Sequence, residues 1–165
     1  MQTPYRKLGK YAKQTPDPFL SKDKIVEIER KLARLKKTQP QAAAEVSRLA
    51  ELGDFSENVE YQLAKGRLRS IINTILKLEN QLRNAVLIEP EKGAGRVSVG
   101  NTVRVSVGGI DKMYQILGSA ETNPQKGIIS HNSPIGSALI GHQIGDIVSI
   151  DIAGKHVEYK ILKIE

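Results

Sequence analysis

The chain is poor in the residues that cross-link a protein or fill a large core. Its 165 residues include no cysteine and no tryptophan, and the aromatic side chains are five Tyr and two Phe. The absence of cysteine excludes a disulfide framework and a thiolate zinc site. So few aromatic residues also disfavour one thick core, and favour a small domain joined to an elongated element with thin helical packing.

Long hydrophobic runs are missing as well. No apolar segment approaches the roughly 18–20 residues needed to span a bilayer, and the N-terminus lacks an apolar signal-peptide core. We therefore expect a cytoplasmic protein that does not associate with membranes.

The three histidines, His131, His142 and His156, have no metal-ligand spacing, and we interpret each as an ordinary surface or loop residue.

The net charge of +7 is concentrated at one end of the chain. Residues 1–37 contain eleven Lys and Arg against four acidic residues, whereas the remainder is close to neutral. Such a concentration could attract nucleic acid or an acidic protein surface. An equally good interpretation is a solvated helix face preceded by a basic tail.

Two long stripes of apolar residues at helical spacing follow a stretch without periodicity. We predict that residues 1–19, with three prolines, form a flexible basic arm and that Ser21 caps the first helix. Proline removes a backbone donor, so a kink or short restart is expected at Pro40. The stripes are Ile25, Ile28, Leu32, Leu35, Ala43, Val46, Leu49 and Leu52, then Tyr61, Ala64, Leu68, Ile71, Ile75, Leu78, Leu82 and Ala85.

Neither stripe could remain helical in water with its apolar side exposed, so the two should pack against each other. We predict an antiparallel coiled-coil hairpin over residues 20–88, with arms that reach on the order of 45 Å at about 1.5 Å per residue. A parallel dimeric coiled coil is the competing arrangement. Gly53, between the stripes, favours the hairpin.

The tip of this hairpin, residues 51–60, holds four carboxylates and no cation. Asp54 and Glu57 are three residues apart, so both can point the same way from the first turn of a helix. Two exposed carboxylates would bind Mg²⁺ weakly unless a second molecule supplied further oxygen ligands. The same spacing also fits a capping box, in which each residue satisfies the backbone of the other.

After a linker at residues 89–95, short alternating runs replace the helical period. We predict strands at 96–99, 102–107, 112–117, 147–152 and 157–164, and a short helix that Ser133 caps and Pro134 begins. Residues 96–165 should therefore form a β-rich domain with one short helix. Together with the hairpin, this predicts an α+β fold.

Two segments resemble the Gre transcript-cleavage factors of bacterial RNA polymerase. The sequence Gly-Asp-Phe-Ser-Glu-Asn-Val-Glu-Tyr at 53–61 is similar to the tip motif of that family. Residues 132–141 and 145–148, which include Asn-Ser-Pro-Ile-Gly and Gly-Asp-Ile-Val, are similar to its C-terminal signature. The resemblance extends over about residues 20–165.

The resemblance implies an FKBP-like C-terminal domain that binds RNA polymerase and a hairpin that enters the secondary channel of the enzyme. It further implies that Asp54 and Glu57 help to hold a Mg²⁺ ion of the polymerase during cleavage of backtracked RNA. The protein would then be an accessory factor rather than an enzyme, a monomer with no cofactor of its own. A channel-blocking inhibitor with the same architecture is the alternative.

The resemblance also suggests roles for further residues. The implied roles are tip shaping for Asn58, Glu60 and Tyr61, contact with the RNA 3′ end for Lys65, Arg67 and Arg69, and polymerase binding for Asn132, Ser133 and Pro134. The alternative interpretation is that the basic residues are solvated cations and that the Asn-Ser-Pro segment is a capped helix start.

A prolyl isomerase or chaperone is a weaker hypothesis for the function. The pockets of such proteins are lined with aromatic residues, and residues 93–165 contain only Tyr114 and Tyr159.

Overall fold

The computed structural model describes residues 17–51, 59–89, 95–152 and 154–165. Two long helices, α1 (Lys22–Ala50) and α2 (Val59–Arg83), precede a mixed β-sheet with one short helix. This confirms the α+β fold class. The N-cap expected for α1 is also confirmed, because the Ser21 hydroxyl accepts a hydrogen bond from the Lys24 N–H at 3.2 Å.

Ion pairs between the two helices show that they run antiparallel. Lys36 Nζ lies 2.6 Å from a Glu79 carboxylate oxygen. Farther along α1, Glu45 lies 3.9 Å from Arg67, which comes earlier in α2. The apolar stripe of each helix therefore packs on the other helix of the same chain, as the hairpin prediction requires.

The helical seam has heptad spacing. In α1 the buried residues Ile28, Ala42 and Leu49 are separated by multiples of seven, and in α2 Ala64 and Ile75 are buried. Such spacing is typical of coiled-coil packing.

Pro40 does not interrupt this seam, so the expected restart of the helix is wrong. α1 is continuous from Lys22 to Ala50 with Pro40 inside it, and Ala42 rather than Ala43 occupies the most buried position. Packing against α2 on both sides of Pro40 outweighs the single backbone hydrogen bond that proline removes.

The C-terminal domain is built on one five-stranded sheet. The strands are β3 (Thr102–Val107), β4 (Ile110–Leu117), β5 (Ile128–Ser130), β6 (Ile147–Ile152) and β7 (Lys155–Ile164). Their order in the sheet is β5-β4-β3-β7-β6, with β4 and β5 parallel and the other pairs antiparallel.

One face of this sheet forms the core of the domain. The short helix α3 (Pro134–Leu139) packs against β5 and β6. Its Leu139 is fully buried, as are Val103, Val105 and Ile116 of the sheet. A core made mainly of Val, Ile and Leu agrees with the shortage of aromatic residues.

Four of the five predicted strands match observed ones. The strand expected at 96–99 is wrong, since the structure has only an isolated bridge between Arg96 and Gln143 there. The three-residue strand β5 was not predicted, because three residues are too few to show an alternating pattern.

A short parallel strand pair lies at the base of the hairpin. β1 (Phe19–Leu20) pairs with β2 (Val86–Leu87), and Leu20 is fully buried. The arm predicted for residues 1–19 is therefore too long at its C-terminal end, and residues 1–16 lie outside the described part. No helix in the described ranges combines the length and apolar character that crossing a membrane requires.

Candidate functional site

The candidate site lies at the end of the hairpin farthest from the β1–β2 pair. α1 ends at Ala50, with Glu51 as its C-cap, and α2 begins at Val59. A helix of 29 residues is about 43 Å long at about 1.5 Å per residue. Asp54, Glu57 and Asn58 come between the two helices in the chain and lie outside the described residues, so their roles stay predictions.

The first turn of α2 is described. Glu60 is exposed, whereas Tyr61 is half-buried. The Lys65 ammonium lies 5.7 Å from the centre of the Tyr61 ring, within the range of a cation–π contact. This contact brings the Lys65 ammonium and the Tyr61 ring together, and the tip-shaping role of Tyr61 stays a prediction.

The structure divides the three basic residues of the predicted RNA contact between two sides of the hairpin. Lys65 and Arg69, four residues apart, line one shallow groove together with Gly66 and Ile72. Arg67 points to the other side, toward Glu45 of α1. Lys65 and Arg69 can thus act on one ligand, and Arg67 is not part of their groove.

The Asn-Ser-Pro segment forms the turn from β5 into α3. The Ser133 hydroxyl accepts a hydrogen bond from the Gly136 N–H at 3.0 Å and donates to the Ser130 carbonyl at 2.6 Å. Ser133 is therefore engaged within the domain. Asn132 and Pro134 are exposed on either side of it, and their contact with a polymerase stays a prediction.

Sequence reasoning missed the junction between the hairpin and the sheet, where Asp17 is nearly buried. One Asp17 oxygen accepts from the Ser119 N–H and hydroxyl at 2.7 Å each, and the other accepts from the Phe19 N–H. Nδ1 of His131 lies 3.4 Å away. Burial raises the pKa of Asp17, but the hydrogen bonds from Ser119 and Phe19 and the charge of His131 together hold it below 3.8.

A second junction contact completes the cap of α1. Both oxygens of Glu121 accept hydrogen bonds from Ser21, one from its N–H at 2.7 Å and one from its hydroxyl. In a capping box, Glu or Gln at the third helical position would accept that N–H. Lys24 occupies this position, so Glu121 of the other domain takes the role. No local signal could reveal a partner 100 residues away.

Within the described ranges, no three His, Asp or Glu side chains come close enough to hold a metal ion. Asp54 and Glu57, the metal ligands predicted from the sequence, lie outside those ranges.

Comparisons with known proteins cover both parts of the chain. Residues 19–87 match the family model "Transcription elongation factor, N-terminal", and residues 91–165 match "Transcription elongation factor, GreA/GreB, C-term". The chain is 39% identical over 141 residues to transcription elongation factor GreA of Nautilia profundicola, covering 83% of this chain and 87% of that protein. It is 36% identical over 150 residues to GreA of Clostridium novyi, covering 88% and 94%.

Among solved structures, GreA factor homolog 1 (Gfh1) of Thermus thermophilus matches at 28% identity with a TM-score of 0.40, covering 88% of this chain and 97% of that one. The two family models together span the hairpin and the β-rich domain. The chain therefore belongs to the GreA/GreB family of transcription elongation factors.

Proposed function

We propose that this elongation factor enters the secondary channel of bacterial RNA polymerase and stimulates the polymerase to cleave backtracked RNA. The observation that carries the proposal is the hairpin itself. Two helices pack along a single heptad seam, and the joining segment at the far end holds Asp54 and Glu57 among four carboxylates. A thin helical hairpin of about 43 Å can carry these carboxylates into a deep site of another protein.

The chemistry follows from the type of ligand. Carboxylate oxygens suit Mg²⁺, and one or two of them suffice only where a partner or substrate supplies the rest. Asp54 and Glu57 are the residues that would complete such a set inside the polymerase. The ion, when bound, supplies Lewis-acid activation of water for phosphodiester hydrolysis. The factor contributes ligands and has no nuclease activity alone.

Other residues position the RNA and the factor. Lys65 and Arg69 share one side of α2 near the tip, where they can contact phosphates of the extruded RNA 3′ end. Asn132 and Pro134 are exposed at the start of α3 and supply a contact to the polymerase. The factor works in the cytoplasm, together with the polymerase. It works as a monomer, because one hairpin occupies one channel.

The test uses a backtracked elongation complex and a gel that resolves RNA length. The unaltered protein should shorten the RNA, whereas Asp54→Asn and Glu57→Gln should abolish shortening while polymerase binding is retained. Glu51→Gln is the matched control, since it removes an exposed carboxylate of the same segment to which no role is assigned; its cleavage rate should remain within a few-fold. Shortening that survives both Asp54→Asn and Glu57→Gln would refute the metal-ligand role.

The same assay distinguishes a cleavage-stimulating factor from the alternative, a channel-blocking inhibitor. A channel-blocking protein would bind the polymerase and slow nucleotide addition without shortening RNA, and neither tip substitution would change that result. A prolyl-peptide isomerase assay on the same preparation tests the third hypothesis, for which no isomerisation is expected.

A further inference from the structure

Strand β6 lies at one edge of the five-stranded sheet. It comes last in the order β5-β4-β3-β7-β6, and within the described ranges it pairs with β7 alone. An edge strand presents a row of backbone N–H and C=O groups that can pair with another chain. The opposite edge strand, β5, has three residues, whereas β6 has six. The edge at β6 is therefore the longer template of the two.

The register of β6 on β7 shows which backbone groups face the open edge. The Ile161 N–H of β7 donates to the Asp146 carbonyl, just before β6, at 2.9 Å. In an antiparallel pair, hydrogen-bonded and non-hydrogen-bonded positions alternate, so Val148 and Ile150 are the hydrogen-bonded positions of β6. The backbone groups that face away from β7 belong to Ile147, Ser149 and Asp151.

These edge groups are open in the described part of the chain. None of the three residues has a backbone hydrogen bond to a segment other than β7 there. Ser149 and Asp151 are exposed, and Ile147 is 61% exposed. Because Val148 and Ile150 are buried in the core, the side chains of the three edge residues lie on the outer face of the sheet.

β6 also lacks the features with which proteins usually protect a strand edge. Such features include Lys and Pro residues, bulges and very short strands. The sequence of β6, Ile-Val-Ser-Ile-Asp-Ile, contains neither Lys nor Pro, and its register with β7 is unbroken. An exposed apolar edge of this kind favours the addition of another extended segment.

The side chains along the edge define the chemistry of that segment. Ile147 stands at one end and Asp151 at the other. Among the described side chains, Asp151 has an ion-pair contact with His156 and with no Lys or Arg, and Glu158 lies on the same outer face. Opposite charges and apolar pairs stabilise neighbouring strands. A fitting segment thus carries a Lys or Arg beside Asp151 and an apolar side chain beside Ile147, four residues away.

A second copy of this chain fits the edge less well. Antiparallel pairing of β6 with itself about Ser149 would place Ile147 of each copy beside Asp151 of the other, an apolar residue against a charge. Two chains that each carry a net charge of +7 would also repel one another. The edge therefore favours a different protein.

We propose that an extended segment of RNA polymerase, with a basic and an apolar side chain four residues apart, adds to β6 as a sixth strand of the sheet. The inference rests on the proposed function, which makes the polymerase the partner. It is supported by the position of α3, which packs against β6 and begins at the predicted polymerase contact of Asn132 and Pro134. Backbone hydrogen bonds would provide affinity, and the two side chains would fix the register.

The first experiment measures binding of the full chain to bacterial core RNA polymerase by biolayer interferometry. Ser149→Pro removes an edge N–H that the pairing with β7 does not use, and proline is tolerated at such positions. Binding should weaken by about tenfold or more, because a polymerase carbonyl is left without its donor. Ser149→Ala keeps the N–H and is the matched control, with an affinity within about twofold of the unaltered protein.

A second pair of variants keeps the proposal testable if proline disturbs the sheet. Asp151→Lys places a like charge beside the basic residue of the partner and should weaken binding by about tenfold or more. Glu158→Lys makes the same change of charge on the same face but on β7, away from the edge. Its effect should be about fivefold at most. Thermal unfolding checks that each variant is folded.

Amide hydrogen exchange tests the contact itself. In the free protein, the amides of Ile147, Ser149 and Asp151 should exchange quickly. In the complex with polymerase, their exchange should slow by about tenfold or more. The amides of Val148 and Ile150 pair with β7 in both states and are the internal reference.

Three results would overturn the proposal. In the first, Ser149→Pro and Asp151→Lys are folded and bind the polymerase as tightly as their controls. In the second, the polymerase complex forms but the edge amides gain no protection. In the third, the edge amides are protected without polymerase in a species of twice the mass, which would assign the edge to a second copy.

The outcome also separates this inference from the proposed function. RNA cleavage that depends on Asp54 and Glu57, without protection at β6, would overturn the strand addition alone. An unaltered protein that does not bind the polymerase would overturn both.

Discussion

At the scale of single residues, Asp17 links the chain before α1 to the sheet domain. Its side chain is only 8% exposed, and three donors from Ser119 and Phe19 satisfy its oxygens. Gly118 permits this approach, since a Cβ there would lie 1.9 Å from the Phe19 carbonyl oxygen. A carboxylate so engaged stabilises the fold only while it is ionised.

The pH dependence of stability follows from the lowered pKa of Asp17. The folded pKa lies below the ordinary value of 3.8, so the folded state binds the proton less readily than the unfolded chain. The stabilisation is present above that value and is lost as pH falls through the folded pKa, within about pH 5 to 2. Urea unfolding should show that Asp17→Asn is less stable than the unaltered protein at pH 5. The difference in free energy of unfolding between the two proteins should become smaller toward pH 2.

The exposed Asp111→Asn serves as the control, and its stability should follow that of the unaltered protein at each pH. If the difference in free energy of unfolding between Asp17→Asn and the unaltered protein stayed constant across this range, the junction contacts would not lower the pKa of Asp17.

At the scale of elements, α1 tolerates an internal proline because the seam on both sides of it packs against α2. The tolerance has a cost, since proline in a helix interior is about 3 kcal/mol less favourable than alanine. Pro40 is exposed, so Pro40→Ala should restore the hydrogen bond to the Lys36 carbonyl without disturbing the core. We expect a gain of about 1–3 kcal/mol.

Urea unfolding followed by circular dichroism at 222 nm measures this gain. Gln41→Ala, at the next exposed position, is the control and should change stability by less than about 0.5 kcal/mol. An unchanged or lower midpoint for Pro40→Ala would show that the local backbone is already adapted to proline.

The sequence predicts an element when the residues that form it are close together in the chain, and does not when they are far apart. The caps at Ser21 and Ser133 and the apolar stripe of α2 are local patterns, and the structure confirms them. The pairing of β1 with β2 joins segments more than 60 residues apart, and Glu121 reaches Ser21 across 100; no short window holds both partners. The pattern at 96–99 is local but lacks neighbouring strands, so only one bridge forms there.

The candidate site shows the same division. The acidic segment and the basic residues of α2 are recognisable from the sequence alone. Arg67 points to Glu45 and away from Lys65 and Arg69. This difference follows from the helical register and from how α2 packs on α1. A pattern of charges fixes which residues are available, and the packing decides which of them act together.

At the scale of the whole molecule, side-chain contacts join the hairpin to the sheet domain within the described part of the chain. They include the hydrogen bonds of Asp17 with Ser119, those of Glu121 with Ser21, and the edge contact of the Phe19 ring with His131. Hydrogen bonds to charged groups contribute about 1.5–3 kcal/mol each. We therefore predict that Glu121→Ala leaves the hairpin and the sheet folded but widens the range of their relative orientations.

The absence of cysteine makes this measurable, because two introduced thiols are the only sites that a spin label can modify. Ser70→Cys in α2 and Ser149→Cys in β6 place labels at exposed positions on the two parts. Pulsed electron resonance should give a broader distance distribution with Glu121→Ala than without it, whereas the exposed Asp111→Ala should leave the distribution unchanged. Equal widths for Glu121→Ala and the parent would mean that the other junction contacts fix the orientation without Glu121, whose bonds to Ser21 would then serve only the cap of α1.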